Sequence, residues 1–205
     1  MKRMGRRGWE VEGIDFDEKA TGKITQRYGM KTYTGDLVSC KLPGASYDAI
    51  TLSHTIEHLF DPEKILVECM RILKPGGKLV VVTPNVESVA ATLFGKFWRG
   101  WEPPRHLHLF SVKTLKNFLL KTGFDVSEIR TSSAGAAVVY RVSRTIQQKE
   151  DGPASFIFRL WLIIWSYQKE LEEFKAQRTG YHAGQNLLAC AIKPLQELLR
   201  NNGAR

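Results

Sequence analysis

The chain has 205 residues, 43% hydrophobic and 25% charged, with 30 Lys and Arg against 21 Asp and Glu for a net charge of +9. This length supports a single globular domain with a buried core and excludes a disordered or low-complexity chain. The positive balance favours anionic partners. No run of apolar residues reaches the ~18 needed to cross a bilayer, and the basic N-terminus MKRMGRRGWE lacks the apolar segment of a secretory signal.

In chain order, Trp9–Ile14 alternates apolar and polar and reads as a strand ending at Asp15. Phe16–Tyr28 reads as a helix that Asp17 caps. Lys31–Thr34 is a short strand closing on Gly35-Asp36, and Tyr47–Leu52 is another. Asp61-Pro62 opens a helix, with an acid at the cap and Pro in the first turn. Lys74-Pro75-Gly76-Gly77 is expected to stop that helix, and Lys78–Thr83 reads as a strand covered on both faces. Ser111–Thr122 follows as a helix capped by Ser111, and Phe124–Ile129 as a strand. Ala136–Gln148 and Pro153–Gln177 read as helices, Asn186–Ile192 as a last strand, and Leu195–Arg205 as a polar tail. Strand and helix alternate over the first 85 residues, which predicts a parallel sheet flanked by helices. Cys40, Cys69 and Cys190 are odd in number and irregular in spacing. They read as reduced thiols, which points to a cytoplasmic location.

The stretch SHTIEHLFDPEKIL, Ser53 to Leu66, contains H-x-x-E-H, a zinc-peptidase pattern. That chemistry needs both imidazoles on one face of a stable helix. Here the pattern starts at the end of a strand and is cut off by Asp61-Pro62, so the peptidase reading is set aside. The carboxyl edge of a parallel sheet is where open α/β folds bind ligands.

GWEVEGIDFDE, YTGDL and YDAITLSHTIEHLFDPEKILVECMRILKPGGKLVVVTPN together resemble the class I S-adenosylmethionine-dependent methyltransferases, in the branch of the ubiquinone-biosynthesis O-methyltransferases. The resemblance runs from Arg7 to about Arg130 and includes the final strand. It implies an α/β Rossmann-like, mostly parallel sheet with an antiparallel strand near the C-terminus. It also implies one methyltransferase domain over 1–205, with core segments 7–130 and 184–194, an acceptor cover over 94–110 and a helical insertion over 135–180. On this resemblance Asp15, with Phe16 beside it, holds the ribose of S-adenosylmethionine. Asp36 accepts from the adenine amino group, Leu37 packs on the ring and Ser53 lines the methionine part. The implied activity is O-methylation of a small-molecule or lipid-linked hydroxyl.

The family's glycine-rich loop has no counterpart, because no Gly-x-Gly-x-Gly occurs anywhere. The chain therefore reads as starting after the first strand, the loop and most of the first helix. It is either a piece of a larger enzyme or a short chain that closes its sheet differently. Two alternatives follow: a non-enzymatic remnant that depends on a partner, and an RNA-methylating module suggested by the charge.

His54 is the candidate general base. His54, Glu57, His58 and His106 form a candidate divalent-metal set; the resembled branch carries Glu-x-x-Glu-His here, implicated in metal binding. The aromatic stretch Phe94–Phe110 offers Trp98, Trp101, His106 and His108 to an apolar acceptor pocket, with a core role for the two Trp the competing reading. Phe156–Trp165 is apolar on all sides. It is a candidate for a peripheral membrane contact, a homodimer contact or a lid. No DNA partner is expected.

Overall fold

The computed structural model describes residues 2–151, 156–177 and 184–195. It divides into two compact units, Met1–Ser46 and Tyr47–Arg205. Pro153–Ser155 of the expected helix and nearly all of the expected tail, 196–205, lie outside the described residues, as do the side chains of 156–159.

The first unit carries a short helix α1 (Lys2–Gly5), strand β1 (Gly13–Asp15), helix α2 (Glu18–Tyr28) and strand β2 (Thr32–Thr34). β1 and β2 pair in parallel, with Asp15 opposite Thr34. β1 is half the length expected from Trp9–Ile14. A strand extends only as far as its ladder, and β2 offers three residues; Trp9 stays about half exposed. Asp17 caps α2, accepting from the amides of Lys19 and Ala20. The helix ends at Gly29 in the left-handed conformation, where glycine carries no steric penalty.

The second unit begins with β3 (Tyr47–Ser53) and a 3-10 turn at Ile56–His58. Helix α3 (Pro62–Ile72), strand β4 (Leu73–Pro84) and helix α4 (Val89–Phe94) follow. After 3-10 turns at Gly95–Phe97 and Arg99–Trp101 come α5 (Val112–Lys121), β5 (Asp125–Ser132), α6 (Ala136–Asp151), α7 (Phe156–Gln177) and β6 (Asn186–Ile192). The four strands are ordered β3-β4-β6-β5. β3 and β4 are parallel, and β6 runs antiparallel to both its neighbours, β4 and β5. Three of the four strands therefore share one direction and the last is reversed, as expected.

α3 begins at Pro62 with Asp61 accepting from the Lys64 amide at 2.9 Å. It ends one residue before the expected stop. Leu73 already pairs with Tyr47, the next partners are Lys78 and Ala49, and Lys74–Gly77 bulges from the ladder between them. Two main-chain bonds to Lys193 hold this bulge: Gly76 N–H to its carbonyl, and its N–H to the Gly77 carbonyl, both 2.9 Å. A side chain at Gly77 would meet the Lys74 carbonyl at 2.7 Å, so the bulge requires glycine there. The buried Lys193 ammonium donates to the carbonyls of Met70 and Leu73 at 2.8 and 3.1 Å, satisfying the carboxyl end of α3. Leu66, Cys69, Leu79, Val81, Leu115, Leu119, Phe124 and Leu187 fill the core.

Candidate active site

In the first unit, both acids expected to hold the nucleoside follow the carboxyl ends of adjacent parallel strands. Asp15 closes β1, and its Oδ1 accepts from the Asp17 amide at 2.9 Å. The Asp15 carbonyl accepts from Gly35 N–H at 3.0 Å, which ties the end of β1 to the turn after β2. Gly35 sits at φ +129°, and a Cβ there would lie 2.9 Å from Ser39 Oγ. Only glycine makes this turn, and the turn presents Asp36. Asp36 Oδ1 accepts from the Ser39 amide at 2.8 Å. Leu37 is half-buried, and Phe16 is 71% exposed beside Asp15.

In the second unit, β3 ends at Ser53, which is exposed. The next residue, His54, adopts φ +50°, a region few non-glycine residues enter. Its amide still donates to the Val82 carbonyl at 2.8 Å, so the chain leaves the ladder at a fixed point. The 3-10 turn then buries Glu57 to 1% exposure. Glu57 Oε1 accepts from His54 Nδ1 at 3.3 Å, and Oε2 accepts from Thr83 Oγ1 at 3.0 Å. Its main-chain carbonyl accepts from the amides of Leu107 and His108 at 2.8 and 3.2 Å. Burial alone would raise the Glu57 carboxyl; His54, its own main chain and Thr83 outweigh it and hold the group below the usual carboxylate range. Reciprocally, the Glu57 carboxylate raises His54 above the ordinary imidazole value against partial burial. With Nδ1 donating to Glu57, the neutral ring carries its lone pair on Nε2.

Glu57, His58 and His106 each bring one ligand-type atom within 4.8 Å of the others. The two imidazole rings lie 4.8 Å apart, centroid to centroid. His58 Nδ1 donates to the Arg105 carbonyl at 2.8 Å and His106 Nδ1 to the Gly100 carbonyl at 2.6 Å. Such bonds fix tautomer and ring orientation, as around metal-binding histidines. Of the four residues expected to form this set, three converge. His54 is not among them; it engages Glu57 instead.

The stretch expected to cover the acceptor does two things. Trp98 turns inward and joins Ala90, Phe94, Ala136 and Tyr140 in an aromatic core. Trp101 remains exposed, and its indole donates to the Gly95 carbonyl at 2.8 Å. Residues 99–108 wrap against the Glu57 turn, organised by Glu102, which pairs with Arg99 and with Arg105 at 2.6 Å and lies 3.5 Å from His106 Nε2. Arg99 first, then Arg105 and His106, hold the Glu102 carboxyl below its usual range despite some burial. Sequence reading missed Thr83 and Glu102: Thr83 looks like the last residue of an apolar strand, and Glu102 like one acid among cations. An acid within four residues of two arginines and a histidine was the available signal for Glu102.

Parallel strands with flanking helices in each unit, and a reversed last strand in the second, define an α/β fold. Residues 1–129 match the family model described as a methyltransferase domain, and the chain belongs to that family. It is 40% identical over 76 residues to a protein named probable S-adenosylmethionine-dependent methyltransferase from Mycolicibacterium smegmatis, covering 37% of this chain and 30% of that one. It is 25% identical over 156 residues to a ubiquinone biosynthesis O-methyltransferase of Cupriavidus pinatubonensis, covering 69% and 62%. Among solved structures, a SAM-dependent methyltransferase from Thermotoga maritima superposes with a TM-score of 0.56 at 22% identity, over 89% of this chain and 72% of that one. The chain thus spans about a third to under two thirds of the length of these curated relatives.

Proposed function

We propose that the chain works in S-adenosylmethionine-dependent methylation of a hydroxyl group on a small-molecule or lipid-linked acceptor. The observation that carries this reading is the His54–Glu57 couple in a methyltransferase domain. The name of the Cupriavidus relative supports oxygen as the acceptor atom.

S-adenosylmethionine, when bound, supplies a methyl group already activated by its sulfonium. Asp15 and Asp36 suit its nucleoside: two carboxylates on one edge of a parallel pair, able to accept from ribose hydroxyls and an amino group. His54 Nε2 takes the proton of the acceptor hydroxyl as its oxygen attacks, and the Glu57 carboxylate stabilises the imidazolium that forms. General bases of this kind contribute about 100-fold or more. His54→Gln is therefore expected to lower kcat by about 100-fold while leaving the Kd for S-adenosylhomocysteine unchanged. Loss of both together would place His54 in binding and remove it as the base.

A divalent ion is a further part of the proposal. Glu57, His58 and His106 would hold it, and it would lower the pKa of a nearby hydroxyl. Two imidazoles and one carboxylate favour a softer ion than magnesium. EDTA treatment is expected to reduce turnover, and Zn²⁺ or Mn²⁺ to restore it. Turnover unaffected by EDTA, and by His58→Ala and His106→Ala, contradicts the metal and leaves the base. We further place the chain in the cytoplasm, on its three free thiols.

A further inference from the structure

The His54–Glu57 couple is held from behind by one strand. β4 is central in its sheet, with β3 on one side and β6 on the other. Two consecutive residues of β4 grip the two halves of the couple. The Val82 carbonyl accepts from the His54 amide at 2.8 Å, and the Thr83 hydroxyl donates to Glu57 Oε2 at 3.0 Å. The direction of the second bond is fixed, because a carboxylate only accepts. Thr83 is fully buried and follows the apolar run Leu79–Val82. Valine would continue that run, fill nearly the same space and suit a strand as well. The hydroxyl is therefore the part of Thr83 that packing does not require, and buried hydroxyls take a partner.

Glu57 needs this anchor. His54 Nδ1 lies 3.3 Å from Oε1, longer than the roughly 2.7–3.2 Å of a well-made N–H···O bond. The Leu107 and His108 amides hold the Glu57 carbonyl, which places the turn but leaves the carboxylate free to rotate. Among the described residues, Thr83 is the one donor to that carboxylate from outside the 54–57 turn. We infer that Thr83 is a positioning residue: it locks the Glu57 carboxylate so that Oε1 faces His54 Nδ1 and the ring presents Nε2 to the acceptor. The inference rests on the reading of His54 as the base. Which imidazole nitrogen carries the proton is set by the bond the other makes. With the carboxylate loose, the Nδ1–H form loses its fixed acceptor. The competing Nε2–H form has no lone pair at Nε2 and takes no proton there.

The tautomer is read from long-range ¹H–¹⁵N spectra of the full chain, with EDTA present and at about pH 9, above the ordinary imidazole range. His54 is assigned by the signal that His54→Gln removes. The unaltered chain is expected to show His54 almost wholly as Nδ1–H. Thr83→Val and Thr83→Ala should each raise the Nε2–H form to a comparable share. Thr83→Ser keeps the hydroxyl and should restore the first pattern. The spectra need no acceptor. With catechol as the acceptor probe, Thr83→Val should lower kcat by about 10-fold or more and leave KM unchanged. In the His54→Gln background the same substitution should cost under about 2-fold, because the two residues act as a unit. A His54 tautomer unchanged in folded Thr83 variants overturns the inference, as does a loss of kcat that persists in the His54→Gln background. Catechol turnover that His54→Gln does not lower removes the base, and Thr83's part with it. An unchanged tautomer beside turnover that depends on His54 removes Thr83's part alone.

Discussion

Two buried carboxylates, Glu57 and Glu173, show how a single side chain's fate depends on its donors. Both are almost fully buried. Glu57 receives hydrogen bonds on both oxygens, from His54 and Thr83, and stays ionised. Glu173 receives one, from Gln185 Nε2 at 2.9 Å, and its Oε2 has no partner. Burial, with the Glu170 charge nearby, pushes it up to about 7 against the pull of Gln185. The sign follows. A carboxyl raised in the folded state favours folding fully below its unfolded value, and that contribution is lost as pH rises through the folded value near 7. Glu173→Gln keeps an acceptor for Gln185 and removes the ionisation. It should melt higher than the unaltered chain at pH 8, by a few kcal/mol at most, with the gap closing by pH 5. A gap independent of pH contradicts this account. Neither environment was legible in the sequence. Glu57 was singled out by its neighbours His54 and His58, but Thr83 comes from another strand, and Glu173 is one acid among several in the helix expected over Pro153–Gln177. Whether an acid is buried beside one donor or three is a tertiary fact that local pattern does not carry.

Elements were more legible where their ends are chemically marked. Asp17, Asp61 and Ser111 each cap the helix expected of them, because a side-chain acceptor at the cap satisfies an amide the helix cannot. Ser111 and Thr114 form a full reciprocal box. Asp61→Ala is expected to cost about 1 kcal/mol in denaturant unfolding with an unchanged slope. A loss several times larger would mean that Asp61 holds more than the amide of Lys64. Elements were less legible where partners decide them. β1 stops at three residues because β2 does. β4 begins at Leu73 and runs through Lys74–Gly77 because Lys193, far along the chain, supplies the bonds that keep this bulge in the sheet. Trp98 and Trp101 share one aromatic stretch, yet only Trp98 reaches the pocket between α4 and α6. A substitution there is costly: Tyr140→Ala, in the same cluster and fully buried, is expected to destabilise by about 3–5 kcal/mol.

At the scale of the molecule, the strands among the described residues form two sheets, one of two strands and one of four, with β1 and β3 each at an edge. Strand direction within each sheet was readable from the alternation of strand and helix and from the reversed last strand; the order that sets β6 between β4 and β5 was not. The strand ends that carry the candidate residues were readable: Asp15 and Asp36 at the ends of β1 and β2 in the first unit, Ser53 and His54 at the end of β3 in the second. What each sheet tip binds is the central claim. Calorimetric titration of the chain with S-adenosylhomocysteine tests it most directly. The account predicts saturable micromolar binding that Asp15→Ala abolishes and His54→Gln leaves intact. A folded chain that releases no heat of binding, or one that binds equally well without the Asp15 carboxylate, contradicts it.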